Sequence, residues 1–362
     1  MGFGSFKQTL FSATTLLICI VCFFGCRVDP PVPEPPVDAL VKGVDFSQLP
    51  KIQNAGYTYY NADSIEQHPL DILTEAGINT VRLKLWNTPS GDASMSECRQ
   101  YAQELQNRDL ELLLTLHYSD TWADPGAQIL PQNWANATFE DVLDSVEAFT
   151  SSAVSLLKPT FVQIGNEINH GLIYPHGKRD GSGNFQRLLQ RGIQGARSAD
   201  SNAITMLHFA GIQGATAFFQ SVDSLDYDAI ALSFYPRWHT KDLDEFEAAC
   251  WQLQNTFQRP VYIVETSYAF SLGWADWTNN HIGSADQLIP SFPPTPQGQK
   301  DFVSAVKQIA DSLGTGVLYW GAELVAYDGP QSQNGSPYEN QALFNFNGVA
   351  LPALTALGAT AP

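Results

Sequence analysis

Residues 160–168 read Thr-Phe-Val-Gln-Ile-Gly-Asn-Glu-Ile. This stretch is a short β-branched and aliphatic run that ends in polar residues, and a longer amphipathic segment follows it. Seven more runs end in polar or aromatic residues, at 43–47, 80–86, 110–118, 203–210, 229–235, 260–268 and 316–321. Helical patterns lie between them at 96–107, 139–157, 185–199, 243–257 and 297–313. This alternation indicates a parallel sheet built from β/α units.

Eight such units predict an α/β protein with a single (β/α)8 TIM barrel. Near-continuous apolar strands are required when both faces of a parallel sheet are buried. A doubly wound open sheet is the alternative, but such a sheet usually binds its ligand at a Gly-rich first turn. No GxGxxG motif follows the first run. We therefore predict one barrel domain over residues 42–362, since barrels of this kind commonly exceed ~250 residues.

The first 25 residues have the pattern of a lipoprotein-type signal peptide. Their apolar run, Leu10 to Phe24, is shorter than the ~20 residues that a spanning helix needs. Phe-Phe-Gly-Cys at 23–26 is similar to a bacterial lipobox, with Cys26 as the lipidated residue. Residues 26–41 hold this anchor and a proline-rich tether. We expect an exported lipoprotein, periplasmic or on the cell surface, that contacts the membrane only through Cys26.

Net charge and aromatic content indicate which classes of ligand the protein can bind. The formal net charge of -18 would repel phosphate backbones, so nucleic acid is not an expected partner. Aromatic residues make up 12% of the chain, which suits a cleft that stacks on sugar rings as well as a core.

Beyond the leader and anchor, Cys98 and Cys250 predict two free thiols. No pattern in the sequence indicates an oligomeric state.

Two glutamates lie where apolar runs end. Glu167 follows Asn166 in the fourth run, and Glu265 lies in Ile-Val-Glu-Thr-Ser at 263–267 in the seventh. Ionising a carboxyl group at the end of a buried strand is costly, so both positions suggest function rather than simple pairing with Arg82. Strands four and seven lie on opposite sides of a barrel mouth, so the two carboxylates should face each other. An opposed pair of this kind carries out glycoside hydrolysis.

Longer motifs accompany the two glutamates. They are Arg-Leu-Lys-Leu-Trp-Asn-Thr-Pro at 82–89, Leu-His-Tyr-Ser-Asp-Thr-Trp-Ala-Asp-Pro-Gly at 116–126, Val-Glu-Thr-Ser-Tyr at 264–268 and Ser-Pro-Tyr-Glu-Asn-Gln-Ala-Leu-Phe at 336–344. Asn166-Glu167 with Glu265 resembles glycoside hydrolase clan A, and the longer motifs resemble its family 53, the endo-β-1,4-galactanases. The resemblance covers roughly residues 42–356, and the motif at 116–126 is its most specific part.

The resemblance implies a retaining endo-hydrolase that cleaves internal β-1,4-galactosidic bonds of galactan or type I arabinogalactan. It implies Glu167 as general acid/base, Glu265 as nucleophile, and Asn166 as a hydrogen-bond partner of the 2-hydroxyl of the cleaved sugar. It also implies a substrate cleft lined by Arg82, Trp86, His117, Asp120, Tyr235 and Trp320.

The sequence departs from the family pattern at Lys84, where relatives often have a second arginine, and at Trp320-Gly321, where many read Trp-Glu-Pro. Some relatives also hold calcium in the long loop after strand seven. Residues 274–281 of that loop offer a single carboxylate, Asp276, which is fewer charged oxygens than a tight calcium site usually has. We therefore predict no metal and no cofactor.

Several interpretations stay open. His208 fits a hydrogen-bonded core position as well as a site position, and Trp122, Trp134, Trp238 and Trp277 fit sugar platforms as well as loop packing. Another clan A endo-glycanase, such as a β-mannanase or a cellulase, would share both carboxylates. A non-catalytic glycan-binding lipoprotein is a third reading, but binding neutral sugar needs no opposed carboxylates.

We predict that Cys26→Ala moves the protein from the membrane fraction to the soluble fraction and abolishes labelling by a fatty-acid probe, because stable anchoring needs the acyl chains on this residue. Cys22→Ala, in the leader just before the lipobox, is the matched control and should stay anchored. If Cys26→Ala remains in the membrane fraction as fully as the parent protein does, the anchor hypothesis is wrong.

Overall fold

In the computed structural model of the protein, the described residues are 1–4 and 40–360. Most of the leader, Cys26 and nearly all of the proline-rich tether lie outside them, so the predictions of export and lipidation stay predictions. Within the described part, no helix combines the length and apolar character needed to cross a bilayer.

The predicted barrel is confirmed, because eight parallel strands close on themselves in chain order. They are β1 (Val41–Asp45), β2 (Thr80–Leu85), β3 (Glu111–Leu116), β4 (Phe161–Ile164), β5 (Ile204–Ala210), β6 (Ala229–Phe234), β7 (Val261–Thr266) and β8 (Gly316–Tyr319). β8 pairs with β1 to complete the ring. β1 begins at Val41, so this residue belongs to the barrel and not to the tether.

Helices follow the strands and cover the barrel. They are α1 (Leu49–Asn54), α2 (Pro69–Glu75), α3 (Met95–Gln106), α4 (Phe139–Leu157), α5 (Asn184–Ala199), α6 (Ala215–Val222), α7 (Leu243–Phe257), α8 (Pro296–Ser312) and α9 (Pro352–Gly358). Side-chain caps determine where several of these helices begin. Thr138 and Asp141 form a capping box that begins α4, and Thr295 caps α8, whose first turn contains proline.

The core has two parts. A large apolar cluster fills the space between strands and helices, and a smaller one, which includes Leu113, Phe161 and Met206, fills the barrel interior. Cys98 and Cys250 are buried free thiols, as predicted. Polar residues replace apolar ones at the carboxyl ends of the strands, where Arg82 and Glu265 are buried. The strands therefore place the polar groups at one end of the barrel.

Two local irregularities shape that end. β4 stops at Ile164, earlier than the predicted run, because Gly165 (φ 82°) and Glu167 (φ 47°) adopt left-handed conformations. The register between β6 and β7 also shifts after Leu232, so that Ser233 pairs with Glu265. Irregularities of this kind redirect side chains next to functional sites.

We predict that Gly316→Ala destabilises the barrel, because an added Cβ would lie 2.2 Å from the carbonyl oxygen of Val41 at the closing seam. Overpacking of this kind typically costs about 1–3 kcal/mol, measurable as a loss of unfolding free energy in urea. Gly283→Ala is the control, since its Cβ would meet nothing closer than 3.9 Å. Equal stability of the two variants would contradict this account of the seam.

Candidate active site

A cavity of about 670 Å³ opens at the carboxyl ends of the strands. It contains seven of the nine predicted site residues, namely Arg82, His117, Asn166, Glu167, Tyr235, Glu265 and Trp320. A carboxylate oxygen of Glu167 and one of Glu265 lie within 4.8 Å of each other. The structure thus brings the two predicted catalytic carboxylates together in a cleft lined by polar and aromatic side chains.

The Arg82 side chain links several residues of the site. It is fully buried, at 1% exposure. One terminal nitrogen donates to Asp45 Oδ2 at 2.5 Å, and the other donates to Asn166 Oδ1 and to Glu265 Oε1, both at 2.7 Å. This one guanidinium therefore links residues from β1, the turn after β4, and β7.

Glu265 accepts hydrogen bonds at both oxygens. Arg82 donates to Oε1, and the Tyr235 hydroxyl donates to Oε2 at 2.7 Å. Burial raises the pKa of Glu265, and the charge of Arg82 and the Tyr235 hydrogen bond oppose that rise. Because a cation and a hydroxyl both donate to it, this carboxyl group is the one held as an anion.

Glu167 has a different environment. It is partly exposed to the cleft, and only Oε1 has a hydrogen-bond donor among the described residues, the Ser233 hydroxyl at 2.6 Å. Burial and the charge of Glu265 raise the pKa of Glu167 to about 8. The pair therefore shares a proton that resides on Glu167 near neutral pH. One carboxyl group can donate a proton while the other is an anion, which is what acid-assisted glycosyl transfer requires.

Residues that the sequence analysis did not select support these groups. Ser233 contacts Glu167, and His208, which the sequence left undecided, contacts Ser233. The Gln163 amide donates to Asn166 Oδ1 at 3.1 Å and lies 2.9 Å from His208 Nδ1. None of them belongs to a motif with a recognisable spacing, so the sequence offers no signal for them beyond their position near strand ends.

Aromatic rings line the walls of the cleft. Trp122 and Trp320 lie with ring centroids 6.1 Å apart, and the Tyr338 ring lies 4.6 Å from Trp320. Trp122 and Trp238 line the cavity and keep 38% and 53% of their surface exposed, as sugar-stacking rings would. Trp134 is buried and packs in the core, which settles its role as packing.

Two predicted site residues lie outside the cavity lining. Trp86 stands behind Trp122 with ring centroids 5.7 Å apart, and Lys84 lies 5.0 and 4.3 Å from these two rings. The Asp120 carboxylate accepts the main-chain N–H of Gln132 at 2.7 Å and orders its own loop. Both residues therefore support the cleft from outside.

The profile of Glycosyl hydrolase family 53 matches residues 41–357. The chain belongs to this family. It is therefore a glycoside hydrolase, and the family resemblance found in its motifs is confirmed.

Individual relatives agree with the family assignment. The endo-beta-1,4-galactanase of Bacillus subtilis (strain 168) is 29% identical, over 87% of this chain and 84% of its own length. The arabinogalactan endo-beta-1,4-galactanase of Cellvibrio japonicus (strain Ueda107) is 28% identical, over 87% of this chain and 86% of its own. The solved family 53 catalytic domain of Ignisphaera aggregans superposes with a TM-score of 0.84 at 33% identity, covering 91% of this chain and 98% of that one.

The resemblance associates calcium with the loop after β7 in some relatives, and this part of the chain contains oxygen atoms of the kind that bind such an ion. Asp276 Oδ2, Asn280 Oδ1 and Glu339 Oε2 are buried and have no hydrogen-bond partner among the described residues. Burial raises the pKa of Glu339 and the charge of Asp276 adds to the rise, whereas hydrogen bonds from the Ala275 and Asp276 main chain and from the Asn280 side chain oppose it. Oxygen atoms of this kind are the ligands that calcium takes.

The sequence prediction of no metal counted the carboxylates of one loop. The second carboxylate, Glu339, comes from the loop after β8, so the single-loop count could not include it. A cation held there would join the two loops, which also meet through the Trp277 N–H and the Ser332 carbonyl at 2.9 Å. It would supply no chemistry at Glu167 and Glu265.

We predict that calcium raises the unfolding temperature by a few degrees over that in EDTA, because an ion bound only to the folded state stabilises it. Asp276→Asn should abolish the response, whereas Asp286→Asn, an exposed change in the same loop, should keep it. Scanning calorimetry measures both. Identical melting of the wild type in excess calcium and in EDTA would show that these oxygens bind no such ion.

Proposed function

We propose that the protein is a retaining endo-β-1,4-galactanase that cleaves galactan or type I arabinogalactan. The observation that carries the proposal is that a carboxylate oxygen of Glu167 and one of Glu265 lie within 4.8 Å of each other, in unlike environments and with no gap wide enough for the water of an inverting enzyme. Retaining enzymes have carboxyl groups ~5–5.5 Å apart, whereas inverting enzymes need ~6.5–9.5 Å for an intervening water. The names of the curated relatives support galactan as the substrate.

In the first step, the Glu265 carboxylate attacks the anomeric carbon, and the bond between that carbon and the glycosidic oxygen breaks. Glu167 gives its proton to the departing oxygen, so the leaving sugar departs as a neutral alcohol. The product is an α-linked glycosyl ester on Glu265. The Tyr235 hydroxyl and Arg82 hold the attacking carboxylate in place.

In the second step, Glu167 is an anion and takes a proton from a water molecule. The resulting oxygen nucleophile attacks the anomeric carbon, the ester bond breaks, and Glu265 leaves as a carboxylate. The two inversions together retain the β-configuration. The Asn166 amide nitrogen already donates to the Ala123 carbonyl at 2.8 Å, and its second hydrogen is available for the 2-hydroxyl of the sugar.

A β-mannanase or cellulase would use the same two carboxylates, so activity on defined polysaccharides tests the substrate. Purified enzyme is expected to release short oligosaccharides from β-1,4-galactan and to leave mannan, β-1,4-glucan and arabinan intact. Cleavage of mannan or glucan with galactan untouched would reject the galactanase proposal and keep the glycosidase chemistry.

We predict that Glu167→Ala and Glu265→Ala fail differently. Glu167→Ala keeps the nucleophile, so it should still form the glycosyl-enzyme from an aryl β-galactobioside, whose phenolate leaves without a proton. Added azide should then restore turnover and give a β-galactobiosyl azide. The same variant should lose at least ~100-fold on galactan, whose leaving sugar needs the proton. Glu265→Ala should be inactive on both substrates without azide.

Product analysis by proton NMR distinguishes the two roles. An α-galactobiosyl azide from Glu167→Ala, or a β-galactobiosyl azide from Glu265→Ala, would show that the roles are reversed. Equal losses on both substrates with no azide response in either variant would contradict the assignment of both.

A further inference from the structure

We propose that Ser233 and His208 are positioning residues that keep Oε1 of Glu167 as a hydrogen-bond acceptor, so that the catalytic proton is carried on Oε2. The inference rests on the proposed function, in which Glu167 is the acid/base residue. It concerns a hydrogen-bonded chain that runs from β5 through β6 to the turn after β4.

The chain begins with the tautomer of His208. Its Nδ1 lies 3.2 Å from the main-chain nitrogen of Glu167 and 2.9 Å from the Gln163 amide nitrogen. A main-chain N–H can only donate, so Nδ1 accepts and the ring hydrogen lies on Nε2. Asn166 Oδ1 also lies 3.1 Å from this Nδ1, but it already accepts hydrogen bonds from Arg82 and Gln163. It therefore does not require a hydrogen on Nδ1.

The direction of the remaining bonds follows. His208 Nε2 lies 2.8 Å from Ser233 Oγ and donates to it. A hydroxyl has one hydrogen, and the Ser233 hydrogen therefore points to Glu167 Oε1 at 2.6 Å. Oε1 is then an acceptor in both protonation states of Glu167. Oε2 has no hydrogen-bond partner among the described residues, and it is the oxygen free to carry the proton.

Burial and the positive charge of Arg82 hold the pKa of His208 well below its usual range, which agrees with a neutral ring. A charged ring would place a hydrogen on Nδ1, facing the N–H of Glu167, and would lose the hydrogen bond that this N–H donates. His208 is fully buried, so solvent does not compete for either nitrogen.

The backbone makes the arrangement specific. Glu167 has a φ of 47°, a conformation that a non-glycine residue keeps only when its surroundings hold it. His208 binds Glu167 at two points, directly at the main-chain N–H and through Ser233 at the carboxyl group. The irregular pairing of β6 with β7 brings Ser233 level with Glu265, so the serine lies beside both carboxylates.

The pH dependence of the acid/base residue tests this chain. The Ser233 hydrogen bond favours the Glu167 carboxylate and lowers its pKa, against burial and the charge of Glu265, which raise it. Losing the bond must therefore raise the pKa of Glu167. The other charged or titratable groups that act on Glu167 or lie around it are Arg82, Asp124, His208, Tyr235 and Tyr338.

The experiment compares the wild type with Ser233→Ala, Ser233→Val and Ser233→Thr. Because the protonated acid is the active form, kcat/KM on galactan falls as pH rises through the pKa of Glu167. In the alanine and valine variants this basic limb should move up by about half to one pH unit. Their kcat should fall about tenfold while KM changes less than twofold. The Ser233→Thr variant keeps the hydroxyl and should keep the wild-type limb.

Valine and threonine have the same shape, so their difference reports the hydroxyl and not the packing. If either larger side chain prevents folding, the basic limb of Ser233→Ala still reports the effect of removing the hydroxyl. A basic limb that stays in place or moves down in the variants that lack the hydroxyl would overturn the proposal. That result would leave the galactanase function standing, because the function fails only if the wild type does not cleave galactan or Glu167→Ala retains full activity on it.

Discussion

The buried guanidinium of Arg82 is the contact on which the site depends. A charge removed from water must be compensated, and Arg82 is compensated by Asp45, Asn166 and Glu265 at 2.5 to 2.7 Å. Each of these partners lies at the carboxyl end of a different strand or in the turn that follows it. The requirement to pair one cation therefore fixes the relative positions of Glu265, the proposed nucleophile, and of the amide that precedes Glu167, the proposed acid/base residue.

The same cation separates the chemistry of the two carboxylates. Glu265 receives a donor at each oxygen, one of them charged, whereas Glu167 receives one neutral hydroxyl and the charge of its neighbour. Burial disfavours ionisation of both, so the difference between them comes from the donors that each strand supplies. The proposed division of roles between Glu265 as nucleophile and Glu167 as acid thus depends on which strand ends contribute donors.

Much of this arrangement could be predicted from the sequence. The eight apolar runs predicted the barrel because the strands are buried on both faces, and Asn166-Glu167 with Glu265 predicted the carboxylate pair because the strands that carry them face each other. The prediction placed Glu167 in a strand, whereas it lies in a left-handed turn after β4. No residue pattern predicts a left-handed conformation for a glutamate, since the surrounding hydrogen bonds hold the backbone in it.

Sequence patterns did not predict the contacts between segments that are distant in the chain. Ser233 is one serine within an apolar strand, and its proximity to Glu167 comes from the closure of the barrel and the irregular pairing of β6 with β7. Glu339 lies far along the chain from Asp276, and only the folded loops bring the two together. Trp86 resembled a cleft residue by its motif, but Trp122 stands beside it and takes the place at the cavity wall.

The central claim is that Glu265 forms a covalent bond with the sugar. Incubation with an activated 2-deoxy-2-fluoro-β-galactobioside should trap this ester, because fluorine at C2 destabilises the charged transition states of both steps and the good leaving group keeps the first one accessible. Digestion and tandem mass spectrometry locate the label. We expect one 2-fluoro-galactobiosyl group per protein, on the peptide that contains Glu265. A label on Glu167, or an unlabelled enzyme that still turns over the natural substrate, would contradict it.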